Sequence, residues 1–131
     1  MNEKLIKYWI ESSDRDFNVV QVLYNNQEYM HSLFFGHLVI EKLLKAMFSK
    51  VNKDNPHSPK IHDLLVLANK CNLELDHNKK IMLDTINSFN IEARYDDYKD
   101  EFRKRCTKEF TTKQIANIKE LREWIKKLIA Q

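Results

Sequence analysis

The chain has 131 residues, the size of one domain, and 43% of them are hydrophobic, which is enough to bury a sizeable core. Its 22 basic and 19 acidic residues leave a net charge of +3, well short of the strongly basic footprint of a dedicated nucleic-acid-binding domain. One glycine and two prolines provide little material for the turns of a many-stranded sheet, so long helices are predicted. We expect one domain over residues 1–131.

The first predicted helix runs from about Glu3 to Asn25, because apolar residues recur there on one helical face. Asp16 falls near that apolar face, where a carboxylate needs a partner or a position at the rim of the core. A salt bridge or helix cap is the favoured interpretation of Asp16, and a catalytic acid is the alternative. The run Asn25-Asn26-Gln27 breaks the pattern, so the chain is expected to reverse into an antiparallel second helix.

The second predicted helix, from Met30 to Lys50, organises the rest of the chain. It is apolar nearly all round, which is typical of a buried helix. One side is wholly apolar and is predicted to be core, whereas the opposite side is mixed and is the first place to look for function. The mixed side carries Phe34, Leu38 and Phe48 together with His31, His37, Glu41, Lys42 and Lys45.

A surface loop and two shorter helices are predicted next. Both prolines fall between Lys50 and Lys60 among Asn, Asp and Ser, the composition of a loop. Apolar residues then recur at helical spacing from Ile61 to Cys71 and from His77 to Ala93.

The C-terminal part of the chain is predicted less completely. The aromatic residues between Arg94 and Phe110 suit either a helix or an ordered loop, and both interpretations stay open. A last helix is expected with Thr111 or Thr112 as its N-cap. The resulting fold class is all-α, an up-and-down bundle of about five helices.

The cysteines and the N-terminus bear on the compartment. Cys71 and Cys106 form neither a metal-type pair nor a disulfide framework, which favours a reducing compartment. The start of the chain, MNEKLIKYWIESSDRDF, is interrupted by charges and predicts neither a signal peptide nor a membrane span. We therefore expect a cytoplasmic protein without a membrane role.

Two Glu-x-x-His pairs, Glu28 with His31 and Glu74 with His77, have the spacing of carboxylate-bridged metal sites in helix bundles. Such a site requires both pairs in mid-helix and two further glutamates on facing helices, whereas these pairs lie at predicted helix junctions. We interpret them as surface polar residues and expect no metal and no cofactor. A glycine-rich phosphate loop is excluded by the single glycine.

Several motifs occur in a characteristic order: Trp9, then Asp16-Phe17, HLVIEKLLKAMF from His37 to Phe48, IHDLL from Ile61 to Leu65, and ARYDDY from Ala93 to Tyr98. This ordered set resembles the HEPN domain family over about residues 5 to 128. The resemblance implies a short helical bundle, usually a homodimer, that is often encoded beside a minimal nucleotidyltransferase. Some family members are metal-independent endoribonucleases that act as toxins.

The chain departs from the ribonuclease members of that family. Those members use an Arg followed a few residues later by a His, as general acid and base on RNA. Here Arg94 is followed by YDDYKDEF, and no His occurs after His77. The resemblance therefore implies a protein that does not cleave RNA by the family mechanism, unless a histidine distant in sequence, His62 first, completes the site.

The resemblance and the polar residues together give the candidate ligand-binding set. Arg94 is the strongest member, because a guanidinium beside Tyr95 suits phosphate or a stacked base, although pairing with Asp96, Asp97 or Asp16 is an alternative. Lys42 and Lys45 suit either phosphate binding or a solvated dimer seam, and Asp63 suits a helix cap. The full set is Glu41, Lys42, Lys45, His62, Asp63, Arg94 and Tyr95.

A second basic surface is formed by Arg103, Lys104, Arg105 and Lys108. Such a cluster is usually a solvated face, although with Tyr98 and Phe102 it is also compatible with tracking a phosphate backbone.

These observations predict a non-catalytic module that binds nucleotide or RNA and pairs with a minimal nucleotidyltransferase in a toxin–antitoxin type of system. A metal-independent endoribonuclease toxin and a helical scaffold without a ligand are the alternatives. Phe34, Leu38 and Phe48 are expected to form a homodimer interface, because a monomer would expose them beside charges.

Overall fold

A computed structural model describes residues 2–131 of the chain. This part of the protein contains helices and no strand, which confirms the all-α prediction. The helices number six, one more than the sequence indicated, and they are α1 (Asn2–Asn25), α2 (Tyr29–Val51), α3 (Leu64–Lys70), α4 (His77–Arg94), α5 (Asp96–Arg105) and α6 (Lys108–Ala130).

Helices α1 and α2 form an antiparallel pair that is tied at two buried points. The reversal uses Gln27, whose φ of 63° lies in the left-handed region. Within the pair, the Ser13 hydroxyl donates to the Val39 carbonyl at 2.8 Å, and the Ser32 hydroxyl donates to the Val20 carbonyl at 2.9 Å. These bonds satisfy hydroxyl groups that would otherwise destabilise the interface between the two helices.

Helix α2 lies at the centre of the bundle, in contact with the other five helices. Its predicted core side is confirmed, because Leu33, Val39, Ile40, Leu43, Leu44 and Ala46 are all fully buried. Gly36 lies on this helix where α6 comes closest, and a Cβ atom there would collide with the side chain of Ile118. The one glycine of the chain therefore permits the close approach of α2 and α6.

A Gly36→Ala variant is expected to be about 1 kcal/mol less stable than wild type. Overpacking a dense core costs about 1–3 kcal/mol. Alanine is a better helix former than glycine by about 1 kcal/mol, which offsets only part of that cost. Urea unfolding would measure it. Adding Ile118→Val should recover part of the loss by shortening the opposing side chain, and a Gly36→Ala variant more stable than wild type would contradict this packing argument.

Helices α3 and α4 begin with aspartate caps. The Asp63 carboxylate accepts hydrogen bonds from the amides of Leu65 and Val66 at 3.0 and 3.2 Å, which confirms its predicted role. Helix α3 consequently begins at Leu64 rather than Ile61. In the same way, Asp76 accepts from the Lys79 amide at 2.8 Å and begins α4.

Helix α5 and the first turn of α6 occupy the region between Arg94 and Phe110, where the sequence is compatible with either a helix or a loop. The prediction that Thr111 or Thr112 caps the last helix was wrong, because Thr107 is the cap and its side chain accepts from the Phe110 amide. Thr111 is fully buried in the first turns of α6, and the Thr112 hydroxyl lies 2.6 Å from the hydroxyl of Tyr24. Both threonines therefore lie inside the helix.

None of the helices in residues 2–131 has the length and apolar character that crossing a membrane requires.

Candidate functional site

A buried polar network lies on successive turns of α2. His37 is fully buried, and Glu41 and Lys45 are only 4% and 8% exposed. The sequence placed these three residues on the mixed side of the helix without showing whether they are buried, and in the structure α1, α4 and His62 cover them. Burial is unusual for charged groups and requires that each has partners.

Glu41 is the hub of this network. Its Oε1 atom lies 3.2 Å from His37 Nε2 and 3.1 Å from His62 Nδ1, and its Oε2 atom accepts a hydrogen bond from Lys45 Nζ at 3.1 Å. Burial by itself would raise the pKa of Glu41. The hydrogen bond from His37 and the charge of Lys45 outweigh it and lower the pKa from 4.5 to about 2. The carboxylate is therefore ionised at neutral pH.

The network joins three further elements to α2. His37 Nδ1 lies 3.3 Å from the Ile86 carbonyl oxygen, and His37 Nε2 lies 3.3 Å from the side-chain amide of Asn90. Both contacts are with α4. Lys45 Nζ lies 5.2 Å from the ring centroid of Trp9 on α1, which is a cation–π contact. His62 comes from the loop before α3.

A cavity of about 190 Å³ opens above the network, between the start of α3 and the end of α4. Four of the predicted site residues meet there, and three others that the sequence did not single out join them. The cavity is lined by His62, Asp63, Arg94 and Tyr95, and by Asn87, Asn90 and Ile91.

Arg94 is exposed at this cavity, and within residues 2–131 it forms no salt bridge. Asp16, one of its expected partners, lies 2.6 Å from Lys42 Nζ instead. The guanidinium of Arg94 lies over the ring of Phe34, with 5.6 Å between the guanidinium carbon and the ring centroid. Its charge is therefore available to a ligand, and the neighbouring Tyr95 is 58% exposed.

Lys42 and Lys45, by contrast, lie outside the cavity lining. Lys42 pairs with Asp16 between α2 and α1, which gives Asp16 the partner that its position required. Lys45 pairs with Glu41. Both lysines neutralise carboxylates of the protein itself.

Asn87 and Asn90 were missed because an asparagine carries no charge and is common on helix surfaces. Their spacing from Arg94 in the sequence is the signal that could have identified them. They precede Arg94 by seven and four residues. That spacing puts all three on one stripe of a helix.

The Glu-x-x-His pairs lie elsewhere. Glu28 is the N-cap of α2, 3.7 Å from His31. Glu74 and His77 line a groove of about 730 Å³ between α3 and α4. Within the described residues, no group of three or more His, Cys, Asp or Glu is arranged to hold a metal ion.

Three residues of the basic cluster near α5 pair with neighbouring carboxylates. Arg103 pairs with Asp100 at 3.5 Å, and Arg105 pairs with Glu92 at 2.6 Å. Phe102 is fully buried, so it is not available to stack on a base. These contacts favour the interpretation of this surface as a solvated face.

The fold and the site define a small helical bundle with a buried ionic network and an adjacent polar cavity. Residues 6–128 match the HEPN domain, so the chain belongs to the HEPN family. The family resemblance of the sequence is thereby confirmed over nearly the whole chain. No curated protein and no solved structure matches the chain significantly.

Proposed function

We propose that this HEPN protein is a non-catalytic module that binds nucleotide or RNA and pairs with a minimal nucleotidyltransferase in a toxin–antitoxin type of system. The observation that carries the binding role is Arg94, an exposed guanidinium without a carboxylate partner in the described residues, at the mouth of a polar cavity. A guanidinium in this situation binds phosphate oxygens bidentately, and Tyr95 beside it offers a ring for stacking.

In this proposal Arg94 binds the phosphate of the ligand, and Lys42 and Lys45 do not. Each lysine already has a carboxylate within 3.1 Å, so a phosphate would have to compete with an existing ion pair. His62 and Asp63 complete one wall of the cavity. Glu41 lies behind that wall and holds His62 in position through their hydrogen bond.

Binding is expected to be weak and salt-dependent, because a single free guanidinium neutralises few phosphates. The test is fluorescence anisotropy with labelled RNA and with nucleotide, comparing wild type with Arg94→Gln. We expect the variant to bind at least about tenfold more weakly, since a hydrogen bond to a charged group contributes about 1.5–3 kcal/mol and each 1.4 kcal/mol is a factor of about ten.

The matched control is Arg103→Gln, which also removes one positive charge from an exposed arginine. If both variants lose the same affinity, or if neither changes it, Arg94 is not the binding residue and the proposal fails.

The proposed module is a homodimer. Phe34, Leu38 and Phe48 are half-buried in the single chain, and the first two lie four residues apart on one face of α2. The contact between Arg94 and the Phe34 ring brings this face next to the cavity. A second copy packing here would remove apolar area from water.

Phe34→Glu is expected to convert the dimer to a monomer, because it puts a charge into an apolar interface, and pairing with the nearby Arg94 offsets only part of the cost of removing that charge from water. Light scattering at micromolar concentration measures the mass, and Val22→Glu, at an apolar position 58% exposed on α1, is the control. A wild-type protein of monomer mass would refute the dimer.

The nucleotidyltransferase partner rests on the family membership of the chain. Its test is an adjacent reading frame for a minimal nucleotidyltransferase whose product, expressed with this protein, purifies with it as a complex. Absence of both the reading frame and the complex would reject this part of the proposal.

An endoribonuclease toxin is the second candidate, and one contact favours it. His62 Nδ1 lies 3.1 Å from the ionised Glu41, and His62 shares the cavity with Arg94. When Nδ1 donates to a carboxylate, the neutral imidazole has Nε2 left as an acceptor, which is the arrangement of a positioned general base.

Cleavage of RNA in the presence of chelator, assayed for wild type, His62→Gln and Arg94→Gln, separates the two candidates. We expect no cleavage by any of the three proteins. Cleavage by wild type that is lost in both variants would replace the non-catalytic proposal with the ribonuclease.

A further inference from the structure

We infer that His37 carries a proton on both ring nitrogens at neutral pH, and that this imidazolium acts as a pH-sensitive clamp between α2 and α4. The clamp is closed while the ring is charged, and it opens when alkaline pH removes one proton. The contacts of this fully buried ring carry the inference. The clamp does not depend on the ligand proposed for the cavity.

Both ring nitrogens of His37 face hydrogen-bond acceptors. Nδ1 lies 3.3 Å from the Ile86 carbonyl oxygen, and Nε2 lies 3.2 Å from Glu41 Oε1. A neutral imidazole has a single N–H group, so each of its tautomers would turn one lone pair toward an oxygen atom. An imidazolium donates from both nitrogens and satisfies both acceptors. The ring is buried, so bulk water does not supply the missing donor.

Asn90 is compatible with the charged ring. Its side-chain amide lies 3.3 Å from His37 Nε2, which donates to Glu41. The amide therefore turns its oxygen, and not its NH₂ group, toward this nitrogen, since the orientation of an asparagine amide follows from its hydrogen-bond partners. If Nε2 instead accepted from the NH₂ group, its lone pair would face the ionised Glu41 carboxylate, which is unfavourable. Ile86 and Asn90 then both accept from the ring, one turn apart on α4.

The charges around His37 support a cation at this position. Glu41 is ionised and forms the one salt bridge of His37 in residues 2–131. Lys45 and His62 contact the same carboxylate, and the charge of Lys45 opposes a second cation. Lys45 also lies 5.2 Å from the ring centroid of Trp9, so the indole face stabilises part of its charge. The Glu41 carboxylate therefore serves both cations.

Charged residues of the adjacent helices contact other groups. Asp16 of α1 pairs with Lys42 at 2.6 Å, and Arg94 at the end of α4 lies over the ring of Phe34. Toward His37, α4 presents a carbonyl oxygen and a side-chain amide, both uncharged. Glu41 is therefore the group that holds the ring in its charged form.

The contacts of His37 favour the charged ring in the folded protein. Loss of the proton on Nδ1 breaks the hydrogen bond to Ile86, whereas Nε2 keeps its bond to Glu41. The stabilisation is complete below about pH 6.5, the pKa of a free histidine. It is lost as the pH rises above this value and the folded protein releases the proton.

The first experiment determines the charge of the ring by NMR that correlates the ring nitrogens with the ring C–H protons. An imidazolium gives two nitrogen signals of nearly equal chemical shift, whereas a neutral ring gives two signals that are far apart. We expect the imidazolium pattern for His37 of the wild-type protein at about pH 7. Its signals are identified by their absence from His37→Gln or, if that variant does not fold, by assigning the remaining histidines with His→Gln variants. The pattern of a neutral ring would overturn the inference.

The second experiment compares urea unfolding of wild type and His37→Gln at several pH values. Glutamine does not titrate, and every other titrating group is common to both proteins. We expect the stability advantage of wild type, expressed as the ratio of the two unfolding equilibrium constants, to fall at least about tenfold between about pH 6 and pH 9. The control is His31→Gln, at an exposed histidine 3.7 Å from Glu28 on the same side of the reversal into α2, where the ratio should change less than about twofold. A ratio for His37→Gln that stays constant or rises with pH would show a ring that is buried in its neutral form.

Amide hydrogen exchange locates the clamp. After correction for the intrinsic pH dependence of exchange, amides around Ile86 on α4 should lose protection between about pH 6 and pH 9, and those of α1 should keep theirs. Protection lost equally in α1 and α4, or lost in neither, would overturn the clamp between α2 and α4.

Discussion

Phe102→Ala is expected to lower the free energy of unfolding by about 3–5 kcal/mol, the range for removing a large buried aromatic side chain. Phe102 is fully buried and is the one buried residue of α5. It stacks on Phe89, with ring centroids 5.4 Å apart, and the guanidinium of Arg105 lies over its ring at 5.5 Å. The rest of α5 is polar, so no other side chain of this helix replaces the lost contact.

The loss should be concentrated in α5. Amide hydrogen exchange in Asp96–Arg105 is expected to accelerate more than exchange in α2, since a helix held by one side chain opens locally when that side chain is removed. Urea unfolding gives the total effect. Tyr98→Ala is the control on the same helix, because its side chain is 54% exposed and should change stability little. A loss below about 1 kcal/mol for Phe102→Ala would show that α5 is anchored in another way.

Because α5 buries a single side chain, the sequence did not distinguish it from a loop. A helix is recognised in a sequence by apolar residues that recur on one face. Helices α1, α2 and α6 have that pattern, and the bounds of α1 and α2 were predicted to within one residue. Helix α5 buries Phe102 alone, so no periodicity marks it. The start of α6 was predicted at Thr111 or Thr112, whereas the helix begins at Lys108 and Thr111 is buried inside it.

The candidate site was predicted in part. The family resemblance pointed to His62, Asp63, Arg94 and Tyr95, and the structure brings these four to one cavity. The sequence did not reveal which charges on α2 are buried, because burial depends on residues distant in the chain. His62 lies 21 residues from Glu41, and Asn90 lies 53 residues from His37. Helical periodicity describes one helix at a time and does not show what covers its polar side.

Glu41→Gln should be the most damaging conservative change at the site. Glutamine keeps the shape of the side chain but removes the charge that compensates Lys45, with two histidines also facing the carboxylate. Breaking a buried ion pair by removing one partner costs about 3–5 kcal/mol. We expect a loss of about 3 kcal/mol at neutral pH in urea unfolding. The control is Glu101→Gln, at a side chain 78% exposed, which should be neutral.

The stability that the ionised Glu41 contributes depends on pH, because the pKa of this residue is lowered in the folded protein. The pKa of Glu41 is about 2 in the folded protein and 4.5 for the free side chain, so the folded state binds fewer protons between these values. The stabilisation is therefore complete above about pH 4.5 and is lost as the pH falls through about 2, with a total of about 3 kcal/mol by linkage. Glutamine does not titrate, so the stability difference between wild type and Glu41→Gln should shrink steadily over that range. A difference that stays constant from pH 7 down to pH 2 would show that the charge of Glu41 is not what stabilises the network.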